Sequence, residues 1–259
     1  MTYCVGMWLD DGLVFMSDTR TNAGVDNIAT ARKLFTFENT GERFITILTA
    51  GNLATTQTVI SMLEERTKAP AERSPSIMEA PSMFQVARII GQTLREVIAD
   101  TPDTGQRGES PFDATLIVGD QIAGDPPRLF LIYPEGNFIE AGKGTPYFQL
   151  GETKYGRPIL VRAYEPEMSF EAAVKLLLVS FDSTIKANLS VGPPLDMQLY
   201  ETDSCTQGLS QRIDADNEYL QTISKGWGSA LKKAFESLPD VTLNKQTQPE
   251  NDCRHADTK

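Results

Sequence analysis

One histidine among 259 residues, His255, stands in a polar end segment, and its scarcity removes whole classes of chemistry. Serine or cysteine hydrolases that move protons through imidazole need that ring held in a packed site. Residues 246–259 are rich in Gln, Asn, Asp, Lys and Thr, lack periodicity and read as a disordered tail. Any hydrolase built on this chain must therefore find its base elsewhere. Cysteine is sparse too: Cys4, Cys205 and Cys253 form neither a CxxC pair nor a disulfide framework, which suits a reducing, cytoplasmic setting. No apolar run approaches the ~20 residues that span a bilayer, and no signal-peptide pattern opens the chain. Also missing are GxSxG, a Walker loop, GxGxxG after a strand, HExxH and paired Cys/His spacings, so no metal and no cofactor is expected. Cations are outnumbered: 24 Lys and Arg against 35 Asp and Glu leave a net charge of −11. Nucleic acid and anionic membrane are disfavoured as partners by that charge.

What is present is enough for one substantial core. Hydrophobic residues make up 40% and charged residues 23%, ordinary globular usage. A single domain is expected over residues 1–243, with a polar tail over 244–259. Residues 2–9 alternate, with both faces largely apolar, as in a strand buried between two layers. Asp10-Asp11-Gly12 signals a hairpin, and the return strand over 13–17 ends at Asp18. Residues 19–31 read as a polar loop. Strands are expected over 33–37 and 43–50, then a helix over 53–67 and an irregular stretch to 81. Ser82 caps a second helix reaching about 99, and a polar loop covers 100–112. Three strands follow over 114–118, 129–133 and 138–141. Ser169 caps a helix over 170–189; strands over 197–202 and 211–214 precede a last amphipathic helix over about 217–237. Strands that arrive in hairpin-joined groups argue against a parallel sheet. The expected class is α+β: a four-layer αββα sandwich of two antiparallel sheets between helix layers.

The chemistry is concentrated at the start. Met1-Thr2 enters a buried strand at once, and initiator methionine is normally removed before a small second residue. Removal leaves Thr2 with both a hydroxyl and a free α-amine, whose pKa of about 7.7–8 keeps a useful fraction neutral at physiological pH. That amine can take the hydroxyl proton and later return it to the leaving group, with no histidine involved. Asp18 ends one apolar strand and Lys33 opens another. If both flank the first strand, the lysine cation would ease formation of the alkoxide and the aspartate would orient it. A rival nucleophile is Ser183 with Lys186, which fit an SxxK pattern inside a long helix, where a helix surface is the plainer reading.

These residues resemble a known family. Thr2, Gly6 in the first strand, "GLVFMSDTR" with Asp18, then Lys33, then "TAGN" with Gly51 resemble the proteasome β-subunit family of N-terminal-nucleophile hydrolases. "MTYCVGMWLDDGLVFMSDTRTNAGVDNIAT" and "LTAGNLATTQ" are closer still to its Anbu (ancestral β-subunit) branch. The resemblance covers residues 2–238. It implies a threonine peptidase acting on peptide or protein substrate, with Thr2 as nucleophile, Asp18 and Lys33 in support, and the Gly51 amide in an oxyanion hole. It also implies self-association into a ring-like or spiral homo-oligomer. Nothing in the chain encodes a separate ATPase. Thr21, Arg32, Thr49 and Leu53 occupy positions that line the family's substrate pocket. Two motifs depart from the pattern. Gly142-Lys143-Gly144-Thr145 stands where "GSG" is expected, making Thr145 the candidate hydroxyl. "KANLSVGPP" stands for "RDxxSGG", with Ser190 matching the serine and Asn188 or Ala187 near the aspartate. A weak or inactive ring scaffold, or an amidase or transpeptidase acting on small amides, are the alternatives.

Overall fold

The computed structural model describes residues 2–22, 28–69, 72–100 and 112–242. Met1, most of the loop expected over 100–112 and the tail expected over 244–259, with His255 and Cys253, lie outside the described residues.

The chain opens with β1 (Tyr3–Leu9), turns at Asp10-Asp11 and returns as β2 (Gly12–Asp18). Two short strands, β3 (Arg20–Asn22) and β4 (Ile28–Thr30), pair with each other in place of the expected loop. Their three-residue length leaves no room for a readable apolar alternation. Then come β5 (Leu34–Asn39), β6 (Arg43–Gly51), α1 (Leu53–Lys68) and α2 (Met83–Ala99). The Asn52 side chain caps α1 and Ser82 caps α2. Strands β7 (Ala114–Ile122), β8 (Arg128–Ile132) and β9 (Phe138–Glu140) follow.

The next two elements are not expected from the sequence: β10 (Tyr147–Gly151) and α3 (Thr153–Ala163). Helix α3 carries Pro158 inside it, which reads as a breaker, and Gly151 interrupts the apolar alternation of β10. The chain then runs through α4 (Phe170–Ala187), β11 (Leu195–Glu201), β12 (Ser210–Ile213) and α5 (Glu218–Glu236).

Two five-stranded antiparallel sheets result, ordered β10-β1-β2-β11-β12 and β5-β6-β7-β8-β9. The period-2 alternation of each strand sorts its side chains between layers. Tyr3, Val5 and Met7 face α3 and α4, packing with Leu160, Leu177 and Phe181. Cys4, Leu13 and Phe15 face the second sheet, meeting Phe44, Leu48 and Ile117. On its outer side the second sheet buries Ile45, Ile47 and Val118 against Val59, Val86 and Ile90 of α1 and α2. This is the α+β, four-layer αββα sandwich, helices outside and sheets inside. Helix α5 departs from the pattern. Leu220 is its buried residue, while Leu231 and Phe235, with Leu238 just beyond its end, stand exposed.

Asp120 in β7 is fully buried at φ 96°. Neither of its carboxylate oxygens has a hydrogen-bond partner. Burial pushes its pKa well above the usual range. A carboxyl whose folded pKa is raised contributes stability that is complete below the unfolded value and lost as pH rises through the folded one. Urea unfolding at several pH values should therefore show Asp120→Asn gaining on the wild type as pH rises from about 5 to 8, by more than about 1 kcal/mol. A constant difference between the two would contradict this.

Candidate active site

Thr2 stands one residue ahead of β1, and the register of that strand fixes its surroundings. Tyr3 N donates to Asp18 Oδ1 at 3.0 Å, because Asp18 ends the antiparallel neighbour β2. The same oxygen accepts from Lys33 Nζ at 2.7 Å. Lys33 comes from the other sheet, just before β5, and its Nζ also donates to Arg20 O at 2.7 Å. Its backbone is held in turn, since Thr49 N of β6 donates to Lys33 O at 2.9 Å. Both partners are enclosed, Asp18 at 0% and Lys33 at 5% exposure. The start of the first sheet and a cation of the second thus converge at one end of the sandwich.

Alternation puts the Thr2 side chain on the same face as Cys4, toward the second sheet. Burial pushes the Cys4 thiol up, while the Lys33 charge lowers it and the Asp18 charge raises it. The pair is therefore within electrostatic reach of the face on which Thr2 stands. Asp18 itself is raised above the usual carboxylate range by burial, opposed by Lys33 and by the amides of Tyr3 and Gly192.

Gly51 ends β6 at φ 113°, and a Cβ there would run into the Asp113 carbonyl. Only glycine suits this position, where the strand turns into α1. The first turn of α1 holds no acidic residue, so its positive dipole end is left uncompensated beside Gly51. Of the expected pocket residues, Thr49 is enclosed, Thr21 is half-buried, and Arg32 and Leu53 reach the surface. The Arg32 guanidinium lies over Phe35, 5.5 Å from the ring centre, and its Nε donates to Leu34 O at 2.6 Å.

The "KANLSVGPP" loop lies against the end of β2. Gly192 N donates to Asp18 Oδ2 at 3.4 Å, Thr19 Oγ1 to Pro194 O at 2.7 Å, and Arg20 Nη1 to Leu189 O at 2.8 Å. Ser190 N is bonded to Asn188 Oδ1 at 2.9 Å, so both residues belong to this loop. It is the Gly192 amide that reaches the Asp18 carboxylate.

Thr145 requires a correction. It precedes Pro146, whose carbonyl accepts from Trp8 N, at the far end of β1. Strand geometry separates it from Thr2 by about 20 Å. The segment that meets Thr2 is Gly151-Glu152 instead. Glu152 N donates to Thr2 O at 2.8 Å, and a Cβ on Gly151 (φ 77°) would collide with that same carbonyl. Glu152 is thus a site residue that no motif in the sequence singles out. The one available signal is the alternation of Phe148 and Leu150 followed by a glycine, a strand running to a break. The rival pair is occupied elsewhere: Ser183 Oγ donates to Val179 O at 2.9 Å, and Lys186 pairs with Asp182 at 3.1 Å. Among the described residues no cluster of metal-ligating side chains exists.

Comparison with known proteins agrees with this layout. The family model described as "Proteasome subunit" matches residues 2–197. No curated protein matches the chain. Among solved structures, Anbu (ancestral beta-subunit) from Yersinia bercovieri is 46% identical with a TM-score of 0.86, covering 93% of this chain and all of that one. Anbu from Hyphomicrobium sp. strain MC1 is 44% identical with the same TM-score, covering 93% of this chain and 100% of that one. The helical assembly of the Anbu complex from Pseudomonas aeruginosa is 46% identical with a TM-score of 0.87, covering 93% and 98%. The chain belongs to the proteasome subunit family, on its Anbu (ancestral β-subunit) branch.

Proposed function

We propose that this chain is a threonine-type peptidase subunit that hydrolyses amide bonds with Thr2 after loss of Met1. The observation that carries the reading is the buried Lys33–Asp18 pair, whose shared Oδ1 also holds the amide next to Thr2. The freed α-amine takes the Thr2 Oγ proton, and the alkoxide attacks the substrate carbonyl in the field of Lys33. The Gly51 N–H, at the positive end of α1, stabilises the oxyanion. The amine returns its proton to the leaving amine, and water then opens the Thr2 ester with the same amine as base. A substrate strand enters along the cleft between the sheets, lined by Thr21, Thr49, Arg32 and Leu53. The subunit acts in the cytoplasm as a homo-oligomer. Exposed Leu231, Phe235 and Leu238 at the far end of α5 suit a chain that buries surface between copies.

Intact mass should show Met1 missing. A β-lactone or epoxyketone should add one equivalent to the protein, and peptide mapping should place it on Thr2. No adduct, or one on Ser183, would reject the reading; an unlabelled but assembled protein would favour the scaffold.

A further inference from the structure

The backbone hydrogen bonds of β1 alternate in direction. Odd residues turn toward β2, where Tyr3 N reaches Asp18. Even residues turn toward β10: Trp8 N donates to Pro146 O, and Thr2 O accepts from Glu152 N, both at 2.8 Å. The nitrogen of Thr2 faces the same side as its carbonyl, the side on which Glu152 stands. Register agrees, since Tyr3 opposes Gly151 and makes Thr2 and Glu152 the next cross-strand pair. Cross-strand partners carry their Cβ atoms about 5 Å apart on one face of the sheet. Cys4, Phe148 and Leu150 mark the inter-sheet face of this strand pair as far as Gly151, whose φ of 77° ends the regular alternation just before Glu152.

Glu152 is neither a solvated surface acid nor a helix cap. Its side chain is 14% exposed. It precedes α3 as the N-cap residue but makes no side-chain capping bond. Its ion-pair partner is Lys154 at 3.7 Å, itself 69% exposed and set over the Tyr155 ring. With its lysine largely in solvent and the atoms 3.7 Å apart, the pair contributes little, so the carboxylate is not committed by it.

The buried charges beside Thr2 hold each other. Asp18 from β2 holds Lys33 from the second sheet. On α4, which packs against Tyr3, Asp182 and Lys186 hold each other. Removal of Met1 places a positive charge at Thr2 N, and Glu152 is the carboxylate residue whose backbone is bonded to Thr2. We propose that Glu152 is the counter-ion of the freed Thr2 α-ammonium and holds that amine in place for the Thr2 hydroxyl, a role that rests on the N-terminal-nucleophile reading. Glu152 is thus a positioning residue. It favours the protonated amine while Lys33 disfavours it, and the balance sets the pH at which the base becomes available.

The test uses full-length protein shown by intact mass to lack Met1. Trace acetylation between about pH 5 and pH 10, read on the N-terminal peptide by mass spectrometry, gives the titration midpoint of the α-amine. In Glu152→Gln the midpoint should fall by about one unit, making the amine about tenfold more reactive below that midpoint. Glu152→Asp should recover part of the difference. An unchanged midpoint in a folded Glu152→Gln protein overturns the proposal. β-Lactone labelling of Thr2, run in parallel, separates the two ideas. Labelling with an unchanged midpoint keeps the peptidase and ends the counter-ion. A shifted midpoint with no labelling at any pH keeps the contact and ends the peptidase.

Discussion

Thr2→Ala is expected to abolish covalent labelling and peptide hydrolysis, by on the order of 10^4-fold or more, while the folded protein and its assembly persist. The contrast is clean because alanine is also small, so Met1 is removed from both proteins and the α-amine survives. Only the hydroxyl is lost. Thr2 precedes β1, and its backbone bond to Glu152 does not involve the side chain, so stability should change by less than about 1 kcal/mol. Thr2→Ser provides the complementary measurement. Serine keeps both functional groups but loses the χ1 restriction of a β-branched residue. Activity should survive, reduced by about tenfold through looser positioning. Labelling rates for all three proteins decide the matter. A Thr2→Ala protein that still takes up the probe would move the nucleophile elsewhere.

Much of this site is legible in the amino-acid order alone. A buried strand starting at residue 3, a hairpin at Asp10-Asp11-Gly12 and two apolar strands bounded by Asp18 and Lys33 carry their own periodic signals, and antiparallel pairing does the rest. The meeting of Asp18 with Lys33 is a tertiary event, because those residues belong to different sheets. Two stretches of the chain escape the pattern for physical reasons. Strands β3 and β4 are three residues each, and such short pieces show no periodicity. Strand β10 ends at a left-handed glycine, and α3 contains Pro158, so neither element looks regular. Without β10 the segment beside Thr2 is misplaced, and Thr145 takes the position that Glu152 holds. A one-strand error of this kind leaves the fold class intact, because the sandwich rests on the other strands, yet it exchanges a hydroxyl for a carboxylate beside Thr2.

The second large effect is expected from Lys33→Met, and it should fall on stability as well as on activity. Lys33 Nζ satisfies Asp18 Oδ1 and Arg20 O, both at 2.7 Å. Methionine fills a similar volume but leaves a fully buried carboxylate with two amides, Tyr3 N at 3.0 Å and Gly192 N at 3.4 Å. Removing one partner of a buried pair costs about 3–5 kcal/mol. The pH dependence gives the sign. Burial already raises the Asp18 pKa against the pull of Lys33, and without the lysine it must rise further. Stability of the variant is then greatest below the unfolded carboxyl range and falls as pH climbs through the folded value. Denaturant midpoints should consequently differ more from wild type at about pH 8 than at about pH 5. Asp18→Asn combined with Lys33→Met removes both charges and should recover most of the lost stability, because replacing a whole buried pair is often near neutral. Activity should not return with it, since the cation that favours the Thr2 alkoxide remains absent. Recovery of labelling in the double variant would mean that Lys33 only holds the strands together, whereas a double variant no more stable than Lys33→Met would mean that Asp18 is not the group left exposed to the penalty.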